Sequence, residues 1–530
     1  MKHPLSGLIA GTVFALFSLS AAANEQDAIG SFEIARFAVQ GNTLLSEQAV
    51  NTLLTPYTGK GRNFGHVQMA LEALESAYHK HGYNIVQVVL PEQELNQGVV
   101  TLRVVETRLG KVRVEGNRHF DEANIRRSVP GLQEGQSPNI GDVSSSVKLV
   151  NENPAKKVTL QLQSSEGDDV NATLKVVDDK PWKIGASLDN SGSDATGKTY
   201  LTTQYQHANI ADRDHVMSLQ YITTVEKPSQ VNVYGVGYHI PLYGIGDSLD
   251  LFATYSDVDS RVIFNVVNVQ ASGKGTMYGI RYNHNLRRNG GYESKLIYGV
   301  DYKDSRYNSN YSSPGNFQFR SSQDITIHPL SIAYAGAWIY AQSEVNFGLT
   351  AIHNLPGGDR GSNTASDPRH DASFDILRYN AGYARALPND WQMRVSLAGQ
   401  YSPDTLVLVP GERFGAGGAT TVRGFQEREL SSDSGHFLSA EVYTPNLCAG
   451  ITQITAHCRA LAFYDVANVR QNKPIGDDYT TASIASIGLG WRMSIDKHMA
   501  LQMDAARVLD AGPTEGKGDS RMHVKLAVTY

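Results

Sequence analysis

The sequence predicts an α+β portion joined to an all-β one: two small β-α-α-β-β repeats, then a sixteen-stranded antiparallel transmembrane β-barrel. Three observations predict this. Helical periodicity is confined to residues 32–180. Within that span one order of elements occurs twice. From Trp182 onward, strand-like segments of about ten residues alternate apolar and polar positions, the pattern of strands that cross a bilayer.

The N-terminus sets the compartment. Lys2 and His3 precede an apolar run from Leu5 to Leu19, closed by Ala21-Ala22-Ala23. This is the layout of a secretory signal, residues 1–23, cleaved after Ala23. An anchor helix is the rival reading, disfavoured by the small residues and the polar Asn24-Glu25-Gln26-Asp27 that follow. No other stretch approaches the roughly 20 apolar residues of a spanning helix. An exported chain of this kind that spans a membrane must do so as a barrel.

Composition agrees. A length of 530 residues implies two or three domains. Gly (49) and Tyr (26, against 16 Phe) are abundant, as suits a turn-rich β protein that meets membrane interfaces. A net charge of −6 offers no electrostatic footprint for nucleic acid.

The first repeat, 32–108, opens with a strand over "FEIARFAVQ" and a Gly-Asn turn. Ser46 caps a short helix through Leu54. A second helix carries Val67, Leu71, Leu74 and Tyr78 on one face and stops at Gly82. The strands "YNIVQVVL" and "GVVTLRVVE" follow. The second repeat, 109–180, has the same order. "GKVRVEGN" is strand and Gly-Asn turn, "DEANIRRSV" a short helix, and Ile140, Val143, Val147 and Val150 stand at helical spacing. "KKVTLQLQ" and "VNATLKVVDD" are its strands.

In 181–530, sixteen segments begin near residues 182, 200, 215, 231, 247, 275, 293, 326, 339, 373, 391, 436, 459, 482, 498 and 521. An even number closes an antiparallel barrel. Connections after odd segments are mostly long and polar (304–325, 354–372, 402–435), and those after even ones mostly short, as outside loops and periplasmic turns should be. "RVIFNVVNVQ", 261–270, is assigned to a loop. Periodicity alone leaves a secreted β-sandwich or β-helix open.

No catalytic signature is present: no Gly-x-Ser-x-Gly, no His-Glu-x-x-His, and a "GAGG" at 415–418 without the Lys-Ser/Thr of a phosphate loop. The chain reads as a non-enzyme needing no cofactor. "DPRHD", 367–371, reads as a solvated loop and not a metal site. Cys448 and Cys458 read as a disulfide in an oxidising compartment, with two free thiols as the alternative. His457 beside them does not complete a metal set.

The motifs carry a family resemblance. The tandem repeats look like POTRA domains. "KPWKIGASLDNSGSDATG" resembles the start of the barrel in two-partner-secretion transporters. "GERFGAGGATTVRGF" resembles their signature loop, with Gly411, Glu412, Phe414, Gly417, Gly418 and the core Val422-Arg423-Gly424-Phe425. "LAFYDVANV" resembles a second motif, with Asp465 at its aspartate. The chain thus resembles the TpsB family of haemolysin secretion/activation proteins, in the superfamily of the barrel-assembly protein BamA.

The resemblance implies a translocator in the outer membrane of a Gram-negative bacterium, with its POTRA units in the periplasm. Its partner would be one large unfolded TpsA-type exoprotein: a haemolysin, adhesin or contact-dependent toxin. That client would thread through the lumen without ATP. Loop 402–435 would fold into the lumen and Arg423 would pair with Asp465. The disulfide would clip a periplasmic turn. Tyr530 would serve as the C-terminal signal read by the barrel-assembly machinery when the protein enters outer-membrane lipid. A BamA-type insertase is the rival function; two POTRA units favour transport.

Two departures from the family pattern stand out. Only about eight residues, 24–31, lie between Ala23 and Phe32, too few for the plug helix many members carry. The usual Asp-x-Gly reads Asp465-Val466-Ala467, which implies a less open wall beside the loop.

Overall fold

Two Gly-Asn turns explain why the α/β unit recurs. Gly41 and Gly116 both lie in the left-handed region, with φ of 83° and 87°. A Cβ on either would meet a strand carbonyl, Val104 O at 2.4 Å or Val176 O at 2.5 Å. Only glycine fits so close to a neighbouring strand. The asparagine after each makes the same bond, Nδ2 donating to the carbonyl three residues on, at 2.8 Å to Leu45 and 2.8 Å to Phe120. A carboxylate ending the last strand holds each turn from the other side. Glu106 accepts from the Thr43 and Leu44 N–H groups, and Asp178 from those of Arg118, His119 and Phe120.

The structure is a computed structural model that describes residues 31–530, apart from 95–96, 166–168, 195, 258–260, 265–268, 273–274, 314–316, 356, 358–372, 404–406, 451–454 and 475–478. The signal segment 1–23, all but the end of 24–31, and the 367–371 stretch lie outside the described residues. The chain divides into two compact units, one ending at Thr107 and one running from Arg108 to Tyr530.

In the first unit the strand Val99–Val105 is central, parallel to Arg36–Gln40 and antiparallel to Gln87–Val89. Helices α1 (Glu47–Leu54) and α2 (Phe64–Lys80) cover it. Ser46 caps α1 by accepting from Ala49, and Asn63 with His66 forms a reciprocal capping box on α2, so both helix starts are satisfied locally. Val67, Ala70, Leu74 and Tyr78 of α2 close the core against Leu102 and Val104. The strand expected over 32–40 is two. Phe32–Ile34 pairs with Gly59–Arg62, and the break falls at Ala35, whose N–H turns to Gly98 O at 2.7 Å.

The second unit begins with the same sheet plan: Val170–Asp178 lies parallel to Leu109–Glu115 and antiparallel to Lys156–Ser164. Helices α3 (Glu122–Ser128) and α4 (Ile140–Val150) are capped by Asp121 and Asn139. The rest is a closed antiparallel barrel of sixteen strands. They are β1 (Trp182–Asp189), β2 (Tyr200–Ile210), β3 (His215–Thr224), β4 (Val233–Leu242), β5 (Asp247–Ser256), β6 (Gly275–Asn285), β7 (Tyr292–Ser313) and β8 (Phe317–Ile339). Then come β9 (Ser343–Leu355), β10 (Asp375–Ala386), β11 (Gln392–Tyr401), β12 (Ser434–Tyr443), β13 (Ala456–Arg470), β14 (Thr481–Ile495), β15 (Met499–Asp510) and β16 (Ser520–Thr529). Pairing of β16 with β1 closes the ring. Closure leaves no unpaired edge in lipid, where an unmet backbone group is costly.

The turn after β2 and the turn after β4 both touch the second α/β repeat. Connections after even strands therefore sit at the α/β end and those after odd strands at the far end. Outward tyrosines form a row across β3, β4 and β5: Tyr221 and Tyr234 stand 5.0 Å apart, Tyr234 and Tyr255 6.3 Å. Such amphipathic rings suit the membrane interface.

Two connections differ from expectation. The segment 261–270 belongs to a small hairpin, Arg261–Phe264 with Val269–Ser272, separate from the barrel. The polar stretch 304–325 is largely strand, because pairing of β7 with β8 continues to Ser313 and Phe317. Its polar sequence shows no alternation to read.

Candidate functional site

The segment between β11 and β12 turns back into the barrel. It makes a short 3₁₀ turn at Pro410–Glu412 and a two-stranded ribbon, Phe414–Ala416 with Leu430–Ser432. At its tip Gly417, Gly418 and Gly424 all have left-handed φ, of 107°, 102° and 96°. A Cβ on Gly424 would stand 3.1 Å from the Ala506 Cβ on the wall, so the tip meets β15 without room for a side chain. The Gly424 N–H donates to His523 Nε2 on β16 at 3.0 Å.

Arg423 sits among inward residues of three strands. Its Nε and Nη2 donate to the two oxygens of Asp465 on β13 at 2.7 and 2.8 Å, and its backbone N–H adds a bond at 3.2 Å. Nη1 reaches Glu441 on β12 at 2.8 Å and stands 3.5 Å from Asp504 on β15. The guanidinium lies 3.5 Å over the Phe463 ring. Asp465 is fully buried and also accepts from Ser439 at 2.6 Å. A planar fork matched to a carboxylate, stacked on a ring, holds direction as well as charge; a lysine offers neither fork nor stack. Period-two geometry explains the assembly: on β13, Leu461, Phe463, Asp465, Ala467 and Val469 are all buried.

Val422 and Phe425, also fully buried, pack with Ala467, Val469, Ile484 and Val508. Ala467 stands where the family pattern has glycine, and its methyl is part of this apolar seat.

A second set of contacts fastens the loop elsewhere. Glu412, buried, takes Lys303 of β7 at 2.5 Å and Arg378 of β10 at 2.9 Å. Gln400 donates to the Glu412 carbonyl at 2.8 Å. Leu408 and Val409 pack with Ile325, Ile327, Ile352, Phe374 and Ile376. Asp433, at the loop's return, accepts from the Leu408 and Asn472 N–H groups at 2.7 and 2.8 Å. A cavity of about 820 Å³ remains between the loop and the wall from β4 to β12, with His239, Asp250, Arg281, Lys303, Arg378 and Glu412 in its lining.

The remaining sequence-selected residues lie away from the loop. A disulfide joins Cys448, in the connection between β12 and β13, to Cys458 near the start of β13. Tyr530 exchanges backbone hydrogen bonds with Ile184 of β1, at 2.8 and 3.1 Å, and its ring stands 5.9 Å from Trp182. Glu441, Asp504, Lys303 and Arg378 escaped the sequence reading. Each lies on a different strand, and only barrel closure brings it to the loop.

A buried cluster ties the second α/β repeat to the barrel. Lys156 Nζ donates to Asp214 in the β2–β3 turn at 2.6 Å and to Asn124 at 2.7 Å. Asn124 and Tyr243 also donate to Asp214, at 2.9 and 2.7 Å. Burial pulls the Lys156 ammonium below the usual lysine range, against the opposing pull of Asp214. Among the described residues no group of His, Cys, Asp and Glu is placed to hold a metal ion.

A barrel whose polar lumen holds its own loop, borne behind α/β repeats, defines an outer-membrane transporter. The chain belongs to the haemolysin secretion/activation protein family ShlB/FhaC/HecB, whose pattern matches residues 169–493, and a ShlB-type POTRA domain matches residues 32–107. It is 24% identical over 426 residues to the outer membrane transporter CdiB of Escherichia coli O6:K15:H31, over 78% of this chain and 68% of that one. It is 21% identical over 472 residues to the heme/hemopexin transporter protein HuxB of Haemophilus influenzae, over 86% and 80%. The solved structure of CdiB from Escherichia coli shares the fold, with a TM-score of 0.72 at 19% identity over 97% of this chain and 93% of that one. The chain is an outer-membrane translocator of two-partner secretion, its POTRA portion in the periplasm. Membership among secretion/activation proteins favours transport over barrel insertion.

Proposed function

We propose that the barrel passes one large unfolded exoprotein, and that loop 402–435 holds the lumen closed until that client arrives. The observation that carries this reading is the buried Arg423–Asp465 pair. It ties the loop tip to the wall in the space the client must cross. In so dry a setting, removing one partner costs about 3–5 kcal/mol, because the other charge is left unpaired. The loop is thus held firmly in one place, while glycines at its tip allow it to seat.

The α/β repeats, taken as POTRA units over 32–108 and 109–180, would recognise the client before the barrel, over 181–530, does. Each sheet ends in an outer strand, Gln87–Val89 in the first and Lys156–Ser164 in the second. An extended client can add a strand at such an edge, a contact that repeats along a moving chain. Folding of the client outside supplies direction, with no nucleotide. A TpsA-type haemolysin, adhesin or contact-dependent toxin fits this role. Tyr530, exposed at the β1–β16 seam, suits a signal for the barrel-assembly machinery.

The test is export of a candidate TpsA-type exoprotein co-expressed with this chain. Arg423→Ala and Asp465→Ala should each sharply reduce its appearance in the medium, while the variant barrels still show heat-dependent migration from outer membranes. Undiminished export in both would end this reading.

A further inference from the structure

The loop stands on two feet, and they are built differently. At the Arg423 foot every charged partner is withdrawn from water: Asp465 at 0% exposure, Asp504 at 7% and Glu441 at 17%. A bidentate fork, a backbone bond and a ring contact act together there. At the Glu412 foot the carboxylate is buried, at 1%, and Lys303 is as covered as Glu441, at 17%, but Arg378 is 39% exposed. Both of these cations line the cavity.

Three consequences follow from that contrast. A cation as exposed as Arg378 loses little when water replaces its partner, so the Glu412 foot is the weaker. Lys303 holds its oxygen as a point charge and not as a fork, which tolerates exchange of one carboxylate for another. The open space lies along β4–β12, with Glu412 and both its cations in its lining, so movement of this foot widens an existing passage. Movement at the Arg423 foot would instead have to open the tight seat against β13–β16.

We propose that the loop opens by releasing Glu412 while Arg423 stays seated, and that Lys303 and Arg378, once freed, bind the carboxylates of an acidic stretch of the passing chain. The exchange is one carboxylate for another on the same two cations, so no net charge is stranded in the lumen. This rests on the reading of the loop as the closure of the channel.

Single-channel recording on the full-length protein in planar bilayers tests it. Glu412→Gln should raise the frequency of large openings above that of the native protein. In a Glu412→Cys/Lys303→Cys protein, a bifunctional methanethiosulfonate bridging the two thiols should abolish those openings, and reductant should restore them. Glu412→Cys alone, given the same treatment, controls for Cys448–Cys458. Polyglutamate should block Glu412→Gln channels where polylysine of equal length does not. The block should disappear when Lys303→Gln and Arg378→Gln are added. A bridged protein that opens like its unbridged form, or equal block by both polymers, overturns the proposal. Deleting residues 404–435 separates the two ideas. If that leaves conductance unchanged, the loop is not the closure and the underlying reading falls. If it opens the channel but bridging has no effect, only the inference falls.

Discussion

Lys156 and Asp214 meet at 2.6 Å with both side chains closed off from water, at 0% and 1% exposure, and they join the second α/β repeat to the turn between β2 and β3. Desolvation works against such a pair, as the depressed Lys156 shows, so its worth lies in fixing how the two parts dock more than in net stability. Lys156→Met should cost about 3–5 kcal/mol by stranding Asp214. Adding Asp214→Leu should recover much of that loss. Denaturant titration in detergent, followed by protease sensitivity of the link near residue 180, measures both.

At the loop tip, the left-handed Gly424 leaves no room for a methyl group against Ala506. Gly424→Ala should cost the seated loop about 1–2 kcal/mol in backbone strain alone. The expected readout is a leakier barrel, seen as faster uptake of a large antibiotic by cells that carry it. Unaltered uptake with normal barrel levels would show that the tip does not bear on closure.

The disulfide closes a separation of ten residues and ties the preceding connection to the start of the strand that bears Asp465. In the chain-entropy model a loop of that size contributes about 2–3 kcal/mol. Cys448→Ser/Cys458→Ser should lower the unfolding temperature in detergent, and reductant should do the same to the native protein but not to the variant. Client export at moderate temperature should persist.

Tyr530 lies on the seam, bonded to Ile184, with its ring tilted 39° to that of Trp182 and Lys180 Nζ 5.3 Å from each ring. Tyr530→Ser should reduce the amount of barrel in the outer membrane, and Tyr530→Phe should retain most of it, because the ring and not the hydroxyl makes these contacts. Quantitative blotting of outer-membrane fractions distinguishes the two.

Much of this was legible in the sequence. The barrel has the sixteen strands expected, because a strand with lipid on one face and water on the other writes an alternation into its residues. The Gly-Asn pair marked the repeat because a left-handed turn beneath a strand carbonyl admits little else. The β7–β8 extension was hidden, since its polar residues show no alternation. The partners of Arg423 were legible only in part. Asp465 was marked by its motif. Glu441 and Asp504 lie on other strands, with no local signal that they face the same point. Glu412 stood in a quoted motif, yet its partners, Lys303 and Arg378, sit 109 and 34 residues before it.

The central claim is that Arg423 and Asp465 act as one fastening that the transporter needs. A double-mutant cycle on client export tests it most directly, comparing Arg423→Ala, Asp465→Ala and the pair together at matched barrel levels. If the two residues form one device, the double variant exports no worse than either single variant. Losses that multiply in the double variant would mean that the two residues act separately, and would contradict the account.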